Sequence, residues 1–176
     1  EMGCTTFVDP VVPHSHGWSY LDEALRWVDI FHSNDVEAAS FTGERDPEAA
    51  LEAILEKGVG MSIVSLGERG LLAANRRYKL RMPAFKVQVL DPTGAGDAFT
   101  SGVIQGLLQI GAEKPLKVAE LARDKLLRAL VYGEAVGAAC VMEIGTTSGV
   151  TRSRVDALMK SQENRVLDRA SVEEIS

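Results

Sequence analysis

The stretch Val89–Ile104, VLDPTGAGDAFTSGVI, sets an acid inside a glycine-rich turn that runs straight into a helix, and this order of residues narrows the possible folds more than any other in the chain. Val87, Val89 and Leu90 read as the end of a buried strand and Asp91-Pro92-Thr93-Gly94 as a turn. Ala95 onward reads as a helix with Phe99, Val103, Leu107 and Ile110 on one face. Asp97 then falls in the first helical turn. The amides of Gly94, Ala95, Gly96 and Asp97 are expected to lack intrahelical partners and to point one way, which with the helix dipole makes a place for a phosphate-like anion. A carboxylate beside such a place suits a general base: it takes a proton from a hydroxyl while the amides hold the charge that builds on a transferring phosphoryl group.

The rest of the chain supplies the frame of an α/β fold. Thr5–Val12 is strand-like up to Asp9-Pro10, where the proline removes a donor, and Asp9 is open to two readings, a turn acid or a group facing a site. His14-Ser15-His16 has no third ligand nearby and reads as a loop before a metal pair. Ser19–Trp27 is expected to be a helix with a serine cap, and Asp29–Ser33 a short strand. Asn34 and Glu37 open the next helix, which stops at Gly43, and they fit either a capping box or side chains that project from the end of a strand into a site. Asp46-Pro47 caps another helix with Leu51, Ile54 and Leu55 buried. Met61–Leu66 is an apolar run of the kind covered on both faces. It empties into Gly67-Glu68-Arg69-Gly70, which either presents amides and Arg69 to a phosphate or simply joins two strands.

Leu71–Ala74 and Arg77–Met82 form a hairpin turning at Asn75-Arg76. Its basic residues lack an aromatic platform apart from Tyr78 and read as a solvated face. Gly111–Pro115 is a loop, Leu116 to about Val141 is largely helical, and the small residues Gly133–Ala139 favour close packing over a flat ligand. Gly145–Gly149 is a loop, Arg152–Lys160 a last short helix, and the polar residues from Ser161 a loosely held tail.

Composition excludes several classes of function. A chain of 176 residues with 45% hydrophobic and 25% charged residues suits one soluble domain. Its net charge of −6 and lack of a basic run argue against nucleic acid and membrane surfaces as partners. No apolar run approaches membrane-spanning length, and the start lacks a secretion signal. Cys4 and Cys140 match no disulfide or zinc pattern, so a reducing, cytoplasmic setting is expected.

Two familiar phosphate motifs fail here: no Gly-Lys-Ser/Thr follows the glycines, and Phe99 stands where a dinucleotide fingerprint needs its third glycine. Asp91-Pro92-Thr93-Gly94-Ala95-Gly96-Asp97 through Ser101-Gly102 instead resembles the signature of the ribokinase-like (PfkB) carbohydrate kinases at nearly every position. Asn34-x-x-Glu37 is similar to that family's motif near magnesium and phosphate, and Ser65-Leu66-Gly67-Glu68-Arg69-Gly70 to its nucleotide-phosphate turn, in the same order along the chain. Pro92 stands where threonine is more usual, and Glu134 where asparagine is common.

The resemblance implies a three-layer α/β fold with a largely parallel sheet flanked by helices, the hairpin lying between Leu71 and Met82. It implies ATP-dependent phosphorylation of a sugar hydroxyl, with Asp97 as base and Gly94, Ala95 and Gly96 as anion hole. Glu37, with Asn34, would act through water-held magnesium; Ser65, Gly67 and Gly70 would approach the ATP phosphates or ribose. The region holding Gly137 and Gly145 would wall the adenine, and Asp91 with the Gly145–Ser148 loop falls where some members hold a monovalent cation such as potassium. The family's N-terminal portion, with its sugar-binding strands and lid, has no counterpart. Residues 1–160 are therefore expected to be a partial kinase domain, truncated at its N-terminus, and residues 161–176 a tail. The partners implied are ATP and a small sugar, with an exposed sheet edge favouring self-association or a homodimer. A nucleotide-binding module without catalysis of its own is the alternative.

Overall fold

A computed structural model describes residues 4–12, 17–111 and 117–175. His14-Ser15-His16 and most of the loop after Gly111 lie outside the described residues. Six strands form one sheet in chain order: β1 (Phe7–Val8), β2 (Ile30–Asn34), β3 (Met61–Ser65), β4 (Leu71–Asn75), β5 (Tyr78–Met82) and β6 (Ser171–Glu174). β1, β2 and β3 pair in parallel, and β4, β5 and β6 follow in antiparallel steps, so β1, β2, β3 and β5 share one direction.

Alternation along the strands divides the interior into two layers. Ile30, Ile63, Leu71, Ala73, Leu80 and Met82 join a core with α4 (Ala95–Gln109), α5 (Arg123–Cys140) and α6 (Arg152–Asp168). The neighbours that point the other way, Phe31, Val64, Leu72 and Ala74, pack with Ala38 of α2 (Asp35–Thr42) and with Ala50, Leu51 and Ile54 of α3 (Pro47–Glu56). This is the expected three-layer arrangement. Asp46 accepts from the Ala49 amide with Pro47 inside the first turn, and Gly43 ends α2 in the left-handed region at φ 82°, both as their residue types predict.

Three local expectations are corrected. Val87–Leu90 is not a strand: no strand is assigned there, and Val89 and Leu90 are each 55% exposed. The place beside β5 is taken by β6, and the amides of Leu90 and Asp91 turn to the Val141 carbonyl instead. The helix expected over Ser19–Trp27 breaks into α1 (Ser19–Asp22) and a single 3-10 turn at Leu25–Trp27, with Trp18 at the cap position and no side-chain cap bond. The helix expected to stop at Lys160 runs to Asp168, and Ser171–Glu174 adds the edge strand, so most of the supposed tail is built into the fold. Val166 is buried against the core, and Val172 packs on it.

Candidate active site

The parallel pairing of β2 with β3 places their C-terminal ends together, with Asn34 in register with Ser65, so the chain leaves toward α2 and toward the Gly67 turn on the same side of the sheet. Open α/β sheets form their binding crevices at such ends. Val8 pairs with Phe31, which sets Asp9 beside His32. The N-terminus of α4 reaches the same region, since Thr100 contacts both residues.

Asn34 and Glu37 form a complete capping box. The Glu37 amide donates to Asn34 Oδ1 at 2.8 Å, and the Asn34 amide donates to Glu37 Oε2 at 2.8 Å. The box occupies one carboxylate oxygen of Glu37. The other accepts nothing among the described residues, so capping and a solvent-facing role are compatible at this position. Arg69, in the turn after β3, reaches across to Asp35 at 2.7 Å and ties the two loops together.

The turn before α4 has a defined internal structure. Thr93 donates its amide to Asp91 Oδ1 at 3.0 Å, and Gly145 donates its amide to Asp91 Oδ2 at 3.0 Å. The hydroxyl and amide of Thr93, with the Gly145 amide, hold the Asp91 carboxyl below the usual carboxylate value. Asp91 therefore clamps its own turn to the Gly145–Gly149 loop. Gly94 has φ 79°, and a Cβ there would lie 2.4 Å from the Thr146 carbonyl oxygen, so only glycine fits.

The Ala95 amide donates to the Pro92 carbonyl at 3.2 Å, which corrects the expectation of four free amides. The amides of Gly94, Gly96 and Asp97 find no acceptor among the described residues. Asp97 sits in the first turn of α4, exposed, with no hydrogen bond to its carboxylate among the described residues; Ser101 bonds its backbone carbonyl at 2.9 Å.

The other site candidates divide by what they touch. Ser65 is half-buried at the end of β3, with its hydroxyl 3.1 Å from His32 Nε2. Gly67 has φ 59° and open space around it. Gly70 is committed to the fold, because a Cβ there would lie 1.9 Å from the Met82 carbonyl oxygen. Gly137 packs on α4, its position for a Cβ lying 3.4 Å from Ala95 O and Phe99 Cβ. Glu134 is buried in α5, and burial pushes its carboxyl up to about 8. Among the described residues no three His, Cys, Asp or Glu side chains are grouped to hold a metal ion by themselves.

His32 is the residue that sequence reasoning missed. It is 2% exposed, its Nδ1 lies 3.1 Å from Asp9 Oδ2, and its ring meets Phe99 at 4.8 Å between centroids. A Cβ on Gly96 would stand 3.8 Å from its Cε1, so the imidazole forms the floor beneath the glycine turn. Burial works against ionisation of Asp9, but the hydrogen bonds and charge of His32, with the Thr100 hydroxyl, prevail and hold its carboxyl below the usual value. The available signal was a histidine inside the otherwise apolar start of IFHSN.

Residues 2–152 match the model of the pfkB family carbohydrate kinases. An ATP-dependent 6-phosphofructokinase of Thermoanaerobacterium thermosaccharolyticum is 33% identical over 93 residues, covering 53% of this chain and 29% of that protein. A ribokinase of Haemophilus influenzae is 29% identical over 134 residues, covering 73% of this chain and 40% of that protein. The crystal structure of a ribokinase from Thermotoga maritima superposes with a TM-score of 0.70 at 27% identity, over 89% of this chain and 49% of the other. The chain thus spans half or less of the length of each of these proteins. With a family match over most of its residues and the same fold as a solved ribokinase, the chain belongs to the pfkB family of carbohydrate kinases.

Proposed function

We propose that the chain carries the nucleotide-binding and proton-abstracting part of an ATP-dependent sugar kinase, with Asp97 as general base. The observation that carries this reading is the α4 N-terminus, where an exposed carboxylate without partners among the described residues stands beside the unengaged amides of Gly94 and Gly96. Asp97 takes the proton from a sugar hydroxyl as that oxygen attacks the γ-phosphorus. The Gly94 and Gly96 amides, with the positive end of the helix, stabilise the charge on the transferring group, and ADP leaves. Ala95 contributes backbone geometry to this hole, since its amide is spent on Pro92.

The residues present fit magnesium carried by nucleotide phosphates. Glu37 keeps a carboxylate oxygen outside its capping box for a metal-held water, and magnesium ordinarily takes few protein ligands alongside phosphate and water. When bound, the ion would supply charge neutralisation of the phosphates. Ser65 and Gly67 lie toward the nucleotide, while Gly70, Gly137 and Gly145 shape the backbone that carries it. Asp91 and the Gly145–Ser148 loop are the place for a monovalent cation.

Phosphoryl transfer from ATP across a panel of sugars tests the assignment. Sugar-stimulated turnover that falls by about 10² to 10⁴-fold in Asp97→Asn, with ATP affinity retained, is the expected result. Turnover unchanged by that substitution would remove Asp97 from its role. Nucleotide binding with no turnover on any sugar would favour the alternative, a nucleotide-binding module that needs the remainder of a kinase fold to act.

A further inference from the structure

The side of α4 that carries Asp97 also carries Thr100, because residues three apart on a helix are neighbours on its surface. Asp97 is exposed and Thr100 half-buried. On its other side the helix is held by apolar packing: Phe99 and Val103 are buried, and Gly102 and Gly106 bring α5 close at Val136 and Ala129. Apolar attraction has no direction of its own, whereas a hydrogen bond has a preferred length and angle. Among the described residues Thr100 is the one side chain of α4 that hydrogen-bonds outside its own helix. Its hydroxyl donates to Asp9 Oδ2 at 2.7 Å, with His32 Nδ1 at 3.2 Å. Burial works against ionisation of Asp9, but the bonds from His32 and Thr100 prevail. At neutral pH the carboxylate therefore has no proton to give, and the hydrogen between the two oxygens is the threonine's, whatever the charge on the ring. Asp9 is itself fixed, since it follows Val8, which pairs with Phe31 of β2, and its Oδ2 lies 3.1 Å from His32 Nδ1.

We propose that Thr100 is a positioning residue for the base: its hydroxyl, anchored on Asp9 at the end of β1, fixes the roll of the first turn of α4 and with it the direction in which Asp97 presents its carboxylate. The inference rests on the reading of Asp97 as general base and names what aims it. Asp97 has no hydrogen bond to its own carboxylate among the described residues, so its aim comes from the backbone that carries it. A bond to an ionised acceptor is about twice as strong as one between neutral groups, which suits a single contact that must hold a turn in place. Thr100 touches neither substrate nor nucleotide in this role; it acts through the helix.

Residual dipolar couplings of the 176-residue chain read the orientation of α4 directly. In Thr100→Val, which keeps the branched shape and loses the hydroxyl, the couplings of Gly96, Asp97 and Ala98 are expected to change against the frame of β2 and β3. Thr100→Ser, which keeps the hydroxyl, should restore them. Asp9→Asn weakens the same bond from the other end and should move them in the same sense. Turnover on a panel of sugars supplies the second arm. Thr100→Val is expected to lower kcat by about 10 to 10²-fold with KM for ATP unchanged, the scale of a misplaced reacting group, and Thr100→Ser to recover most of it. In an Asp97→Asn background the same substitution should cost nothing further. Couplings unmoved in both Thr100→Val and Asp9→Asn overturn the inference and leave the kinase reading intact. So does a loss that persists in Thr100→Ser, or one that repeats in full beside Asp97→Asn, because Thr100 would then act through its shape or apart from the base. Turnover unchanged by Asp97→Asn alone removes the base reading, and this inference with it, whatever the couplings. In a chain without turnover the couplings alone decide.

Discussion

At Glu134 a carboxyl sits within α5 at 9% exposure, and burial raises its folded value to about 8 against 4.5 for an ordinary glutamate. The folded state therefore holds a proton that the unfolded chain releases, so between about pH 4.5 and 8 stability falls as pH rises. Glu134→Gln keeps the shape without the titration. It is expected to be more stable than wild type at pH 7 by roughly 3 kcal/mol at most, with the gap closing below pH 5. Urea unfolding of both proteins across that range checks the sign. Equal midpoints at pH 7 would mean that the carboxyl finds a compensating partner. The place of Asp97 in the first turn of α4 and the Asn34–Glu37 capping box were legible in the sequence because each motif is local: the residues that define it lie within a few positions of one another. His32 was not, since its partners are Asp9, just after β1, and, 68 residues away, Thr100 of α4. Glu134 was noticed only as a departure from a pattern, because its burial depends on how α5 packs.

Between elements, the seam of α4 with α5 fixes where the glycine turn before α4 sits. Glycines let the two backbones approach: a Cβ on Gly102 would stand 2.9 Å from Gly133 Cα and 2.8 Å from Val136 Cβ, and one on Gly106 would stand 2.9 Å from Ala129 Cα. On an exposed helix Gly→Ala stabilises, but here the added methyl meets backbone that cannot yield. Gly102→Ala is expected to cost about 1–3 kcal/mol in urea unfolding; an unchanged or raised midpoint would show that the helices separate freely. The small-residue run Gly133–Ala139 announced this packing from sequence alone. The order of strands was less legible. Val87–Leu90 has the apolar content of a strand, and nothing local reveals that residues from the far end of the chain occupy the position beside β5. The C-terminal segment misled for the opposite reason: its polar composition hides the widely spaced Val155, Leu158 and Val166 that anchor α6.

Across the whole molecule, the sheet ends on one side at β1, a strand of two residues paired only with β2 among the described residues. Close to it in sequence, Val11 is 77% exposed, and on α4 Ile104 and Leu108 are 43% and 63% exposed. An open edge and exposed apolar side chains each favour association with a further strand or a second copy. The sedimentation coefficient is therefore expected to rise with protein concentration, and a constant monomer value across a wide range would count against that expectation. Fold class and layer assignment were legible because strand alternation and helix caps are written in adjacent residues. Which faces stay open depends on chain segments beyond those that form the layers.

Nucleotide binding by this chain is the central expectation of the proposed function. Titration with magnesium ATP, followed by amide NMR, is predicted to give saturable heat and shifts centred on Gly67, Gly94, Gly96 and Asp97, with the hairpin of β4 and β5 unmoved. The absence of heat, or shifts confined to the hairpin and β6, would contradict it.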